Sequence, residues 1–310
     1  MSAENAGRAF ALVLVDELAR RGVQHAVIAP GSRSTPVALA MLGHPKITIH
    51  VRVDERSAAY LALGIAKATR QVVPVLCTSG TATTYFHGAA LEADLARVPL
   101  LLLTADRPPE LHGIGANQTV EQSGLYGDAV RWAYDVPTPA ANADAVDAWR
   151  ETTRRAVSSC LGWTGEPPGP VHLNLALREP LTPAADGVGF DYDLGLERTR
   201  TLTHSAPPHP SDDLSAALRD VRNAVMVVGD VAGDPGPLVG WCEGAGWPLI
   251  AEPHSNARYG PNALRAADAV LRDEAFTSIH RPDLVVVVGR IGLSRQLQDW
   301  LRDTPHIVVS

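Results

Sequence analysis

Residues 47–68 read ITIHVRVDERSAAYLALGIAKA. The first seven positions alternate apolar and polar side chains, the pattern of a strand with one buried face. The alternation stops at Asp54-Glu55-Arg56, and from Ser57 onward alanine and leucine recur at helical spacing. A strand that turns straight into a helix is one βα unit, and the same unit recurs on both sides of this one. Residues 23–29 (VQHAVIA) form a short apolar strand closed by Pro30-Gly31-Ser32-Arg33, with Pro36 placed in the first turn of a following helix. Residues 72–77 form another strand, broken by Thr78-Ser79-Gly80-Thr81, with a helix expected over about 83–96. Residues 99–104 (PLLLLT) are wholly apolar up to the threonine and lead into Ala105-Asp106-Arg107-Pro108. Ahead of all of these, Phe10, Leu14 and Leu18 mark an amphipathic helix that stops at Gly22. Further on, residues 142–161 read as a helix with Asn142 as its cap, and residues 170–177 (PVHLNLAL) as a strand. Repeated strand–loop–helix units imply an α/β fold built on a doubly wound parallel sheet.

The domain plan follows from composition. Residues 1–182 form the first α/β domain. Residues 183–212 are rich in proline, glycine and polar side chains (APPHPSDD) and read as a linker. Residues 213–310 form a second α/β domain, with strands expected at 224–228, 248–251, 284–288 and 306–309. The last of these, HIVVS, reads as a buried strand with nothing after it, so the chain is expected to be a fragment of a longer protein.

The bulk numbers exclude several functions. A net charge of -7 over 310 residues does not favour nucleic acid or an anionic membrane surface. Cys77, Cys160 and Cys242 make no CxxC pair, which argues against a disulfide or zinc scaffold and fits a reducing cytoplasm. There is no HExxH and no apolar run long enough to span a bilayer.

Chemistry concentrates at the strand ends. In an open parallel sheet, ligands bind beyond the carboxyl ends of the strands. The loops PGSRS, VDERS, TSGTA and TADRP should therefore share one rim carrying Ser32, Arg33, Glu55, Ser79, Thr81 and Arg107. Two guanidiniums beside small residues suit a carboxylate or phosphate. Taken singly, each feature has an ordinary explanation. An acidic residue that opens a helix is most often a partner for the helix dipole. A lone arginine is most often in a surface ion pair. Asn117-Gln118 is most often a polar loop. Trp241 and Trp247 read as core, Cys77 as buried packing, and His25, His50 and His172 as structural strand residues.

Together the segments APGSRSTPVALA, HVRVDERSAAYLALGIAKA, TSGTA, LEADLARVPLLLLTADRPPELHGIGANQTVEQ and GPVHLNLALREPL resemble the 2-succinyl-5-enolpyruvyl-6-hydroxy-3-cyclohexene-1-carboxylate synthases of menaquinone biosynthesis, a branch of the thiamine diphosphate (ThDP) enzymes. The resemblance is dense over about residues 26–181 and fainter beyond. It implies a pyrimidine-binding domain followed by a middle domain. It implies ThDP-dependent decarboxylation of 2-oxoglutarate and addition of the resulting carbanion equivalent to isochorismate, by a cytoplasmic homodimer or homotetramer. It places Glu55 at the position that hydrogen-bonds N1′ of the aminopyrimidine. Pro30, Gly31 and Thr81 fall beside it on the cofactor side, and Ser32, Arg33, Arg107, Asn117 and Gln118 on the substrate side. In the second domain, Arg295 of GRIGLSR is matched to a further basic substrate residue, with Arg290 as its competitor. Mg²⁺ or Mn²⁺ and the diphosphate are held in this family by a third domain with a GDG signature. Gly229-Asp230-Val231 lacks the second glycine, so no metal ligands are expected in these residues and the chain alone is expected to be inactive. The competing readings are another ThDP-dependent decarboxylase or carboligase, a noncatalytic module that kept the fold, and a nucleotide-binding α/β protein. The last lacks its GxGxxG: the strand-end loops read PGSRS and GDVAGD.

Overall fold

A computed structural model describes residues 6–140, 144–182, 216, 218, 221–231 and 233–309. The chain forms two compact units, residues 1–204 and 205–310. The expected linker, 183–212, lies outside the described residues, as does the expected cap Asn142.

The first unit is a six-stranded parallel sheet flanked by helices. Its strands are β1 (His25–Ile28), β2 (Thr48–Val51), β3 (Val73–Cys77), β4 (Leu100–Asp106), β5 (Trp132–Val136) and β6 (Val171–Ala176), in the spatial order β2-β1-β3-β4-β6-β5. Its helices are α1 (Ala6–Arg20), α2 (Thr35–Gly43), α3 (Glu55–Thr69), α4 (His87–Leu95) and α5 (Ala145–Cys160). The period-two geometry of a strand sends successive side chains to opposite faces. In β4, Leu101 and Leu103 therefore join the core under α1, α2 and α5, while Leu100 and Leu102 join the core under α3 and α4. A sheet buried on both faces needs continuous apolar strands. That is why LLLL reads so plainly, and why every residue of β3 and β4 is buried.

Several expectations need correction. The strand at 47–53 shortens to Thr48–Val51. As the edge strand β2 it is only half-buried, which accounts for its alternating pattern. After β3 the chain makes a 3₁₀ segment, Gly80–Phe86, before α4 begins at His87; the run GTATTYF is poor in strong helix formers. Strand β5, WAYDV, is an addition to the expected set. Trp241 is 42% exposed and is not core, although it packs against Trp247 at 5.1 Å between ring centroids.

α1 and α5 are joined by a buried charge cluster. Arg150, fully buried, donates to Asp16 at 2.8 Å and Glu17 at 2.9 Å, and Glu17 is itself fully buried. Arg20, Arg21 and Arg154 close the cluster around the same two carboxylates.

The second unit has a four-stranded parallel sheet, β7 (Ala224–Val228), β8 (Leu249–Ala251), β9 (Leu284–Val288) and β10 (His306–Val309), in the order β10-β9-β7-β8. α6 (Gly236–Ala245), α7 (Ala267–Leu271), α8 (Glu274–Ile279) and α9 (Arg295–Arg302) surround it. β10 was expected to be buried. It is an edge strand, and Val308 is 61% exposed.

Candidate active site

The strand order fixes where the first unit can bind a ligand. From β2 the chain crosses over β1 to reach β3 on its other side. The topological switch therefore lies between β1 and β3, where the helical connections diverge and leave a crevice. The loop after β1 (Pro30 to Ser34) and the loop after β3 (Thr78 to Gly80) flank that crevice. They are packed together: the Arg33 backbone N–H donates to Thr78 Oγ1 at 3.3 Å. A Cβ on Gly31 would sit 2.4 Å from Thr78 Cβ, so only glycine allows this approach.

Glu55 opens α3 beside the crevice. The helix-cap role that an acidic residue here would ordinarily play belongs to its neighbour, since Asp54 accepts the Ser57 N–H at 2.7 Å as the N-cap. Glu55 is half-buried and makes no hydrogen bond or ion pair with any described residue. Its charge reaches the floor of the crevice: burial first, and then the Glu55 carboxylate, push the Cys77 thiol well up.

Arg33 and Arg107 are not surface ion pairs; they are 6% and 7% exposed. Arg33 donates to the Leu177 carbonyl at 2.9 Å and faces Glu179, a largely exposed carboxylate, at 3.4 Å. Its Nε is buried and has no hydrogen-bond partner among the described residues. Burial and the neighbouring Arg107 charge lower the Arg33 pKa. Arg107 donates to Ser79 Oγ and, at 3.2 Å, to Asn117 Oδ1. Two crowded, part-desolvated guanidiniums with an orphaned donor form an environment that an anion would relieve.

The Asn117-Gln118 loop lies over the turn after β3. Gln118 has φ +49°, and its backbone is 3.0 Å from where a Cβ on Gly80 would stand. Gly80 itself has φ +83°. Gly80→Ala is therefore expected to cost about 1–2 kcal/mol from the left-handed backbone alone and to displace the 117–118 loop. Chemical denaturation of the variant measures the first effect.

Ser32, Pro30, Thr81 and Gln118 are exposed on the same rim, without a side-chain role visible among the described residues. Arg295, in the second unit, is exposed at the start of α9, whose N-cap is Ser294. Arg290 is also exposed, and its backbone pairs with Asp230. The loop between them is fixed by Glu252, a buried carboxylate that accepts the N–H groups of Gly292, Leu293 and Ser294 at 2.9–3.0 Å.

Beneath the rim runs a buried polar layer absent from the expected site. Gln122 accepts the Gly80 N–H at 2.8 Å and donates to Asn174 at 2.7 Å. Asn174 donates to Asp106 at 2.8 Å and Asp135 at 3.0 Å, and accepts from Thr104 at 2.9 Å. His172, which burial lowers to about 4, lies 2.7 Å from Thr104. Thr104 spends its proton on Asn174, so the neutral His172 donates to it through Nε2. The available signal was polar residues inside apolar strands: Thr104 at the end of LLLLT, His172 and Asn174 within VHLNLA.

Residues 8–125 match the family described as thiamine pyrophosphate enzyme, N-terminal TPP binding domain. The chain is 49% identical over 306 residues to the 2-succinyl-5-enolpyruvyl-6-hydroxy-3-cyclohexene-1-carboxylate synthase of Thermobifida fusca, covering 98% of this chain and 55% of that protein. It is 40% identical to the synthase of the same name from Natronomonas pharaonis, with 98% and 56% covered. With the one from Bacillus velezensis the figures are 38% identity, 94% and 52%. The chain thus spans about half the length of the curated relatives it matches. Similarity extends across both units, and it agrees with the parallel α/β architecture of each. Residues 8–125 are thus similar to the N-terminal TPP binding domain of thiamine pyrophosphate enzymes, and likeness to the synthases continues through the second unit.

Proposed function

We propose that the chain carries the pyrimidine-side half of a ThDP site in a 2-succinyl-5-enolpyruvyl-6-hydroxy-3-cyclohexene-1-carboxylate synthase of menaquinone biosynthesis. The intact protein converts 2-oxoglutarate and isochorismate, works in the cytoplasm and assembles as a homodimer or homotetramer. The carrying observation is Glu55: a carboxylate at the switch-point rim, relieved of capping by Asp54 and uncommitted to any described partner. An aminopyrimidine N1′ is the kind of group such a carboxylate can hydrogen-bond and hold protonated, because a charge-assisted bond in a part-buried setting is strong. When bound, ThDP supplies the electron sink for decarboxylation and carbon–carbon bond formation, with Mg²⁺ or Mn²⁺ on its diphosphate. Pro30, Gly31 and Thr81 border the cofactor.

Arg33 and Arg107 take substrate carboxylates. Arg33 offers the orphaned Nε, and Arg107 is preset by Ser79 and Asn117. Ser32 and Gln118 line the same rim; Arg295, at the start of α9, is a separate candidate for a basic substrate contact. Val53, two residues before Glu55, is 86% exposed, which supports a face that is covered in the assembled enzyme.

Arg107→Ala tests the substrate assignment. A hydrogen bond to a charged group contributes about 1.5–3 kcal/mol, so KM for the carboxylate substrates should rise about tenfold to 150-fold. Steady-state kinetics on the intact protein with an unchanged KM for both substrates would remove Arg107 from the site.

A further inference from the structure

We infer that Gln122 is a positioning residue for substrate binding, acting through the Ser79-Gly80 turn and Arg107; the inference rests on the substrate role given above to Arg107. Gln122 is fully buried, so it reaches no ligand itself. Every polar atom of its amide is used. Oε1 accepts the Gly80 N–H at 2.8 Å, and Nε2 donates to the Ala105 carbonyl at 3.1 Å and to Asn174 Oδ1 at 2.7 Å. The partners sit on both sides of Arg107. Gly80 follows Ser79, which takes the Arg107 side chain. Asn174 holds Asp106, whose Oδ1 accepts the Arg107 backbone N–H at 2.7 Å. One amide thus ties the end of β3 to the ends of β4 and β6 across sequence separations of 42 and 52 residues.

The wiring also has a direction. Asn174 Oδ1 already accepts from Thr104, and Asn174 Nδ2 is spent on Asp106 and Asp135. The side of residue 122 facing Asn174 and Ala105 must therefore be a donor, and the side facing Gly80 an acceptor. An amide satisfies both at any pH. A carboxyl in its place keeps both a donor and an acceptor only when protonated, with one hydrogen where the amide has two. Ionised, it would face two acceptor oxygens in a buried setting, with Asp106 and Asp135 nearby and Glu121 on its own loop. His172 and Tyr126 behind the network carry no charge to offset this, since burial keeps His172 neutral and pushes Tyr126 up. Favourable charge comes from Arg107, already bound at Ser79 and Asn117, from Arg33 beside it, and, when protonated, from His112, which lies 3.6 Å from Asp106. Desolvation and like charges raise the proton affinity of a carboxyl in this position. The donor function is then present at low pH and lost as pH rises.

The test is a KM comparison on the intact protein, each variant referred to wild type at the same pH. Gln122→Leu should raise KM for the carboxylate substrates about tenfold at every pH, the effect of losing about 1.4 kcal/mol of binding, and should speed hydrogen exchange of the Gly80 amide. Gln122→Glu should lie closest to wild type at the acid end of the range and approach the leucine variant as pH rises. A leucine variant within twofold of wild type, beside an Arg107→Ala variant whose KM does rise, overturns the positioning role and leaves the substrate site standing. An Arg107→Ala variant with normal KM overturns both. If the leucine variant does not fold, the glutamate variant decides: a KM ratio that is flat with pH overturns the inference.

Discussion

Glu55→Gln is expected to reduce turnover of the intact protein by about 10²–10⁴-fold, the range for loss of a positioned proton-transfer group, with little change in fold or stability. The reasoning is local. Glutamine keeps the volume of the side chain and presents an amide where the carboxylate stood, so it can no longer stabilise a protonated ring nitrogen. Beyond its place in the first turn of α3, no described hydrogen bond or ion pair depends on the charge. Asp54 caps α3, and Glu55 has no described hydrogen-bond partner to lose. A residue acting as a dipole partner would behave differently, costing a few tenths of a kcal/mol up to about 1 kcal/mol of stability and leaving turnover alone. Measuring kcat and the denaturation midpoint on the same variant separates the two roles. Near-normal kcat would return Glu55 to an ordinary helix-opening residue.

Arg150→Ala is expected to cost about 3–5 kcal/mol of stability in the first unit, as removal of one member of a buried ion cluster does. Arg150 is fully buried between α1 and α5, and its Nη1 serves Asp16 and Glu17 together. Arg20 and Arg21 reach the same carboxylates from the solvent side, so the cluster is thinned rather than emptied. The Glu17 carboxylate is fully buried and cannot turn to water for compensation. Phe10 and Trp149 also meet edge to face at 5.5 Å between the same two helices, a contact that the substitution leaves in place. Chemical denaturation decides the matter. A loss below about 1 kcal/mol is what an exposed pair gives and would show that the cluster contributes little.

The fold was legible wherever burial imposes a single reading. LLLL in β4 and LVVVV in β9 are apolar because both faces of a central parallel strand are covered. Edge strands carry no such constraint. In β5, residues 133–135 are exposed, so WAYDV shows no apolar run. In β10 the apolar HIVV suggested burial that an edge position does not supply.

The rim residues were legible because strand-end loops are short and collinear with the sequence. Glu55, Arg33, Ser79 and Arg107 each follow a strand directly. Their bonds to one another, and the layer of Gln122, Asn174 and Asp106 beneath them, join positions dozens of residues apart. Sequence periodicity cannot report which donor meets which acceptor. The structure also reversed one ordinary expectation: arginines that singly read as surface ion pairs are buried, and one keeps an unpartnered Nε.

The central claim is that Glu55 activates a bound ThDP. Exchange of the cofactor's C2 proton for deuterium, followed on the intact protein by quenched NMR, tests it without either substrate present. Wild type should exchange far faster than free ThDP, and Glu55→Gln should fall back toward the rate of the free cofactor while still binding it. Exchange in Glu55→Gln at the wild-type rate would contradict the account.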